Sequence, residues 1–156
     1  MDWKYENNPI TKLTDFPEET HGFIYLVTHI PTGKKYLGKK SLQSVRNIKL
    51  GKKELNILKE ERKNQGLRGA TPKKKQVIKE SDWKTYYGSQ TEIKKLVKEG
   101  NKEDFQREIL MFVKSKKLLT YYECKFLFEH GVLEDSSSPY INDNILGKFF
   151  RKDFDT

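Results

Sequence analysis

GFIYLVTHIPTGKKYLGKK, residues 22–40, has the pattern of a β-hairpin on which the rest of the fold is built. Two β-forming runs, FIYLVT and KKYLG, flank the turn-forming segment HIPTG. With residues 30–33 as the loop, Tyr25 pairs with Gly38, and Tyr36 shares a face with Tyr25 because side chains alternate along a strand. The two tyrosines then become diagonal neighbours, with their β-carbons within roughly 7–8 Å of each other.

The glycine opposite Tyr25 gives this hairpin two possible interpretations. Gly38 has no side chain, so the pattern predicts room for a ligand beside the two phenols, and Lys39 and Lys40 follow directly. Such a group of hydroxyl and ammonium groups suits a phosphate and a water molecule. The alternative is an ordinary aromatic pair that packs on a sheet.

The positive charge of the chain is concentrated in one segment. The 156 residues carry a net charge of +9, and 34% of them are charged. Thirteen basic and five acidic residues lie between Arg46 and Lys84, so this segment alone has a net charge of +8. A localised basic excess is typical of proteins that contact nucleic-acid phosphates. The alternative is a lysine-rich segment that is simply solvated.

Several classes of protein are disfavoured by the composition. The longest apolar run, Ile109–Val113, is far too short to span a bilayer, and the first ten residues lack the apolar core of a signal peptide. The single cysteine, Cys124, excludes an intramolecular disulfide, and no histidines or cysteines have zinc-site spacing. We therefore expect a cytoplasmic protein of one domain without membrane contacts.

The remaining elements predict an α+β fold with a small mixed, mainly antiparallel three-stranded sheet flanked by helices. Residues 1–20 are predicted to be an extended or irregular arm, residues 52–64 a helix, and GLRGATPKKK a basic loop. In SQTEIKKLVKEG, Ser89 and Glu92 have the spacing of a capping box at the start of a helix. FQREILMFV is predicted to be a strand buried on both faces, and KKLLTYYECKFLFEHG a helix that Gly131 ends.

Several of these segments resemble the GIY-YIG nuclease family. FIY and YLG are similar to its paired motifs, although Phe23 stands where the motif has glycine. Its later helices and strand are resembled, in the right order, by three further segments: YGSQTEIKKLVKEGNKEDFQREIL, YYECKFLF and YIN. The resemblance implies an arm at 1–20, a nuclease domain at 21–147 with a basic insert at 41–80, and a tail at 148–156. The small size is similar to that of phage-type and homing endonucleases.

The resemblance also implies a metal-dependent DNA endonuclease and a set of site residues. Tyr25 would be the leading candidate for the base, with Tyr36 assisting. A tyrosine has an ordinary pKa of about 10, so a nearby cation would have to lower it. The resemblance also places an arginine in a helix just after YLG, on the scissile phosphate; Arg46 is the candidate, with Lys39, Lys40 or an insert residue such as Arg62 as alternatives. The other residues implied for catalysis are Tyr87 (or its neighbour Tyr86) and the metal ligand Glu123. The residues expected to bind nucleic acid are Lys39, Lys40, Lys73, Lys74, Lys75 and Asn142.

The helical pattern around Glu123 supports its assignment independently. On a helical wheel Glu123 falls within the arc formed by Leu119, Tyr122, Phe126 and Leu127, where an unpaired carboxylate is costly. A cation would relieve that cost, and Mg²⁺ or Mn²⁺ suits a lone carboxylate because these ions keep several waters. The alternative is a salt bridge from Glu123 to a lysine on a neighbouring element.

Two other functions remain open from the sequence. One is a non-catalytic nucleic-acid-binding module on the same fold, and the other is a lysine-rich interaction protein. For the nuclease, the expected partner is double-stranded DNA, with no organic cofactor. The expected location is the cytoplasm, that of the host if the protein is phage-encoded, and the oligomeric state is left open.

Overall fold

A computed structural model of the protein describes residues 1–155, which form two compact units. The larger unit comprises residues 1–42 and continues from residue 82, and the smaller one comprises Gln43–Ser81. Within the described residues, no helix combines the length and apolar character needed to cross a membrane.

The elements follow one another along the chain as nine strands and three α-helices in the described residues. They are β1 (Trp3–Tyr5), β2 (Asn8–Ile10), β3 (Gly22–His29), β4 (Lys34–Ser41), β5 (Gln43–Lys49), α1 (Lys52–Asn64), β6 (Lys74–Glu80), α2 (Thr91–Glu99), β7 (Phe105–Val113), α3 (Lys116–Glu129), β8 (Asn144–Ile145) and β9 (Phe149–Phe150).

The main sheet has five strands in the order β2-β1-β7-β3-β4, so the α+β class is confirmed and the predicted count of three strands is wrong. The additional strands come from the N-terminal arm, which forms a hairpin through a two-residue turn at Glu6 and Asn7 (φ 48° and 69°). This hairpin is attached through β1, which runs parallel to β7. Trp3 fixes the attachment, because it is 1% exposed and its indole N–H donates to the Trp83 carbonyl at 2.7 Å.

The predicted register of the β3–β4 hairpin is confirmed. His29 pairs with Lys34, Tyr25 with Gly38 and Val27 with Tyr36. Against β7, however, the register shifts by one residue between Ile24 and Tyr25, because β7 carries an extra residue, Leu110, between their partners Met111 and Ile109. Bulges are over-represented beside active sites, where they re-aim a side chain.

Two hydrophobic clusters cover the two faces of the sheet. One is largely aromatic and includes Trp3, Phe23, Tyr25, Trp83 and Phe105, with Ile93 contributed by α2. The other is largely aliphatic and includes Ile24, Leu37, Leu119, Leu127 and Val132, with α3 packed on β3 and β4. Strand β7 contributes to both clusters, but Gln106, Glu108 and Leu110 are only half-buried, so the prediction that it is buried on both faces is confirmed only in part.

The predicted capping box of α2 is wrong by one residue. Gln90 is the N-cap, and its side-chain oxygen accepts a hydrogen bond from the Ile93 N–H at 3.0 Å. Ser89 instead contacts the Tyr36 hydroxyl at 3.2 Å, and Glu92 forms an ion pair with Lys34. The side chains of Ser89 and Glu92, which local spacing assigned to the cap, therefore form tertiary contacts.

The smaller unit contains a β-ribbon that the sequence did not predict. Seven residue pairs join β5 and β6 in antiparallel register, so Lys74 and Lys75 lie on a strand and not in the predicted basic loop. Helix α1 lies at the predicted position, 52–64. None of residues 43–81, all of which are described, is buried. This unit consequently has no buried core of its own.

The C-terminal segment is part of the larger unit rather than a free tail. Strands β8 and β9 pair, and the Arg151 guanidinium donates to the carbonyl oxygens of Val132, Tyr140 and Asn142 at 3.0, 2.8 and 2.9 Å. These bonds hold the segment that carries Asn142. The last residue of the predicted tail, 156, lies outside the described residues.

Candidate active site

An open, polar cleft of about 430 Å³ lies along β4 in the larger unit. Strand β4, the start of α2, helix α3 and the segment around β8 contribute its walls. The side chains that line it include Tyr36, Lys39, Ser89, Gln90, Glu123, Asn142, Asp143 and Asn144. Three residues predicted from different parts of the sequence, Tyr36, Lys39 and Glu123, are thus brought to one cavity.

The two tyrosines of the hairpin contact each other but have different exposures. Their ring centroids are 6.3 Å apart, Tyr25 is 1% exposed, and Tyr36 is half-buried at the cleft wall. A β-carbon added to Gly38 would lie 2.5 Å from the Tyr25 hydroxyl oxygen and 3.1 Å from the Tyr36 ring. The predicted vacancy for a ligand is therefore wrong, because the Tyr25 phenol itself fills the space above Gly38.

Burial raises the pKa of both phenols. The pKa of Tyr25 is well above its ordinary value, first because the hydroxyl is desolvated and then because Tyr86 and Tyr36 lie close by. Desolvation also raises the pKa of Tyr36, although the hydrogen bond with Ser89 opposes that shift. In the free protein the pKa of Tyr25 thus moves away from the range that a base at neutral pH requires.

Of the two candidate tyrosines that follow Trp83, Tyr86 lies beside the pair and Tyr87 does not. The Tyr86 ring is 5.9 Å from that of Tyr25, and a hydrogen bond joins the two side chains. Tyr87 is buried, 5.4 Å from the Phe105 ring, with the Arg107 guanidinium 4.3 Å from its own ring centre. The prediction of Tyr87 as the site residue thus falls on a core side chain.

Arg107 is a buried residue that was not predicted to have a role in the site. It is 4% exposed, and its guanidinium donates to the carbonyl oxygens of Met1, Lys84 and Tyr86 at 2.5 to 3.0 Å. These bonds hold the segment that carries Tyr86 against the sheet. An arginine within the apolar strand FQREILMFV was the only available signal.

Glu123 lies on α3 and its half-buried carboxyl group faces the cleft. Burial raises the pKa of this carboxyl group, while the charge of Lys39 and a hydrogen bond with the Lys39 backbone oppose that shift. None of the ion pairs found among the described residues includes Glu123. By contrast Glu129, on the same helix, is exposed and 3.9 Å from Lys125.

The two lysines after the hairpin have different surroundings. Lys39 lines the cleft, and its ammonium group donates to the Thr120 hydroxyl at 2.7 Å. The Lys40 ammonium lies 2.5 Å from a carboxylate oxygen of Asp82 and 4.0 Å from the centre of the Tyr86 ring. Lys39 is therefore the lysine positioned to meet a phosphate that enters the cleft.

Asn142 clamps β4, and its predicted contact with nucleic acid stays a prediction. Its side-chain oxygen accepts from the Leu37 N–H at 3.2 Å and its amide group donates to the Leu37 carbonyl at 2.8 Å, and the residue is only 4% exposed. The adjacent Asp143 lines the cleft, and its charge contributes to the raised pKa of Tyr36. Asp143 is a second cleft carboxylate that the sequence reasoning did not identify, although it follows Asn142 directly.

The other predicted basic residues belong to the smaller unit. Arg46 lies exposed on β5, where it pairs with Val77, and not on a helix. Lys73, Lys74 and Lys75 are exposed, and the Lys75 ammonium is 2.9 Å from a Glu54 carboxylate oxygen. Their contacts with nucleic acid stay a prediction.

The cleft suits a divalent cation that keeps most of its water. No group of three or more histidine, cysteine or acidic side chains with metal-site geometry occurs among residues 1–155. Glu123 nevertheless offers a partly desolvated carboxylate with no ion-pair partner within the described chain, and Asp143 faces the same cavity. Mg²⁺ and Mn²⁺ bind through one or two carboxylates, with water and substrate phosphate as the other ligands.

A comparison with protein-family models gives a match over most of the chain. Residues 3–145 match the model described as "Putative endonuclease segE, GIY-YIG domain". The comparison with curated proteins and the comparison with solved structures give no match.

Proposed function

The chain belongs to the GIY-YIG nuclease superfamily, and on that premise we propose that it is a metal-dependent endonuclease that hydrolyses phosphodiester bonds of double-stranded DNA. The observation that carries the proposal is the meeting of Tyr36, Lys39 and Glu123 in one cleft. Phosphodiester hydrolysis needs a positioned water, positive charge on the phosphate and a stabilised leaving oxygen. These three side chains have the chemistry to meet those needs.

Lys39 and Glu123 have complementary roles in this proposal. The Lys39 ammonium binds a non-bridging phosphate oxygen and offsets the charge that grows there in the transition state. The Glu123 carboxylate, with Asp143 beside it in the cleft, would hold Mg²⁺ or Mn²⁺. Such an ion would supply Lewis-acid stabilisation of the charge that develops during phosphodiester hydrolysis.

The phenols orient the attacking water. Water adds its oxygen to phosphorus, the bond from phosphorus to the leaving oxygen breaks, and the leaving oxygen takes up the proton that the water loses. Because burial raises the pKa of Tyr36, its hydroxyl keeps its proton at neutral pH in the free protein and can donate a hydrogen bond at the cleft wall. Tyr25, sealed beneath it, fixes the position of Tyr36 through ring contact and of Tyr86 through a hydrogen bond.

Plasmid cleavage tests the proposal directly. The wild-type protein should convert supercoiled plasmid to nicked or linear forms with Mg²⁺ or Mn²⁺, and not in the presence of EDTA. Tyr36→Phe should lower the cleavage rate by roughly 10²-fold, the effect typical of removing one positioned hydrogen-bond donor. Tyr121→Phe is the matched control, because Tyr121 is 60% exposed on α3 and outside the cleft lining. Wild-type rates in both Tyr36→Phe and Tyr25→Phe would reject a role for the phenols.

A nucleic-acid-binding module without catalysis is the second candidate. It is favoured by one observation: none of the residues that line the cleft, all of them described, is an arginine. Such a module would shift duplex DNA on a gel in a salt-dependent way and leave plasmid intact with either metal ion. Cleavage by the wild-type protein, lost in Glu123→Gln, would exclude it.

A further inference from the structure

We propose that the outer face of the β5–β6 ribbon enters the major groove of double-stranded DNA and reads base edges there. The inference rests on the proposed function only in taking duplex DNA as the ligand. It adds a base-reading surface to the backbone contacts that the basic segment predicts.

The register of the ribbon defines this face. Side chains alternate along a strand, so every second residue of β5 and its partner on β6 point the same way. We call the resulting eight residues the reading face: Gln43, Val45, Asn47 and Lys49 on β5, opposite Glu80, Ile78, Gln76 and Lys74 on β6. All eight are exposed. On the opposite face Ser44 and Val77 are half-buried, and the other four residues, Arg46, Ile48, Lys75 and Lys79, are exposed.

The cross-strand pairs of the reading face match the chemistry of a duplex. Asn47 lies opposite Gln76, and these are the two amide side chains that pair with both N6 and N7 of adenine. Next to them Val45 and Ile78 form an apolar pair, 57% and 58% exposed, of the kind that contacts thymine methyl groups. Side chains suited to adenine and side chains suited to thymine methyl groups therefore occupy consecutive cross-strand pairs, or rows, of the reading face.

The final row points to an anionic ligand. Lys49 lies directly opposite Lys74, and like charges at such positions destabilise a sheet. A phosphate between them would turn this repulsion into attraction. The row thus adds a backbone contact at one end of the reading face.

Size and charge favour duplex DNA as the occupant. The major groove of B-form DNA is about 12 Å wide and admits a two-stranded ribbon, whereas that of an RNA helix is too narrow for side chains to read. The segment that contains the ribbon has a net charge of +8. No residue of this fully described unit is buried, so the exposed apolar pair is not accounted for by a core.

Selection from a randomised duplex library tests the proposal, with the full-length protein in EDTA so that bound DNA stays intact. The wild-type protein should enrich a motif that contains A·T pairs. Asn47→Ala/Gln76→Ala should reduce the ratio of specific to non-specific affinity by roughly 5- to 150-fold per lost base contact, with non-specific affinity nearly unchanged. The matched control is Asn56→Ala/Asn64→Ala, which removes two amides from α1 and should leave the ratio at its wild-type value.

Modified DNA shows whether the contact lies in the major groove. Replacing adenine by 7-deazaadenine in the enriched motif removes the N7 acceptor, so it should weaken wild-type binding and have no further effect on the double variant. Circular dichroism checks that the variants are folded. If the alanine variant is not, Asn47→Asp/Gln76→Glu keeps the side-chain shapes while replacing amide donors with acceptors, and should abolish the adenine preference.

The possible failures are distinguishable. Absence of an enriched motif, or an unchanged ratio in the ribbon variants, overturns base reading even if plasmid is cleaved. Enrichment of a single-stranded or RNA ligand over the duplex would also overturn it. Conversely, an enriched motif with plasmid left intact supports the ribbon and rejects the nuclease.

Discussion

Replacement of Glu123 by glutamine tests the proposed metal site through stability as well as activity. The change keeps the shape of the side chain and removes the charge of a carboxyl group that burial has partly desolvated. Without metal, the variant should therefore be at least as stable as the wild-type protein at neutral pH. With metal, only the wild-type protein should gain stability.

The size of that gain follows from linkage. A metal ion at 100 times its dissociation constant stabilises the protein that binds it by about 2.7 kcal/mol. For a chain of 156 residues, this corresponds to a rise in melting temperature of about 5–10 °C. Glu123→Gln should show almost none of this rise, and its cleavage rate should fall by at least about 10²-fold.

The pH dependence has a definite sign. Burial raises the pKa of Glu123 in the folded state, so the folded protein holds this proton more tightly than the unfolded chain does. The stability due to this proton is fully present below the unfolded pKa and is lost as pH rises through the folded pKa. Glutamine resembles the protonated form, so without metal the two proteins should converge in stability at acidic pH and separate towards neutral pH.

Thermal melting with Mg²⁺, Mn²⁺ or EDTA, at several pH values, measures all of these effects. Glu129→Gln is the matched control, since it makes the same change at an exposed position of the same helix and should keep the metal-induced rise. An equal rise in wild type and Glu123→Gln would show that the ion binds elsewhere. Equal cleavage rates would remove Glu123 from the mechanism.

Three further predictions concern the hairpin, the clamp and the insert. Gly38→Ala should lower the free energy of unfolding, measured by urea denaturation, by about 1–3 kcal/mol, because the new methyl group displaces the Tyr25 phenol. Adding Tyr25→Phe should recover part of that loss, and additive effects of the two changes would argue against the clash. Asn142→Leu leaves both backbone polar groups of Leu37 unpaired and should lower the free energy of unfolding by at least about 2 kcal/mol. A loss below about 1 kcal/mol in the same measurement would mean that water replaces the amide. Replacing Lys73, Lys74 and Lys75 by alanine should weaken binding to all duplex sequences equally, and the plot of log affinity against log salt concentration should become shallower by about 0.9 per lost contact. An unchanged slope would mean that these lysines are merely solvated.

Local pattern was sufficient for much of the fold. The register of residues 22–40 follows from strand alternation and a short turn, and both are properties of neighbouring residues. Helix α1 and strand β7 were predicted with their bounds, and α3 was predicted with its start and with an end at Gly131, shortly after the observed last residue Glu129, because apolar periodicity and Gly131 are also local signals. The family resemblance, which the family model confirms, followed from the order of these same elements.

Other features depended on competition between distant groups. Strands β1 and β2 are only three residues each and carry no usable periodicity, so they join the sheet because Trp3 is buried there. Ser89 had the right spacing for a cap, but Tyr36 is its partner.

The choice between Tyr86 and Tyr87 as the site residue also depended on contacts between distant segments. Adjacent side chains point to different sides. The buried Arg107 donates a hydrogen bond to the Tyr86 carbonyl and packs on the Tyr87 ring, and these contacts determine which phenol lies beside Tyr25. Sequence alone determined which residues share a face of a strand or helix, because that depends on backbone periods of 2 and 3.6 residues. Which faces meet, and so which phenols, lysines and carboxylates share a cleft, was decided only by long-range packing, since burial and hydrogen bonding between remote segments outweigh the local preference of either one.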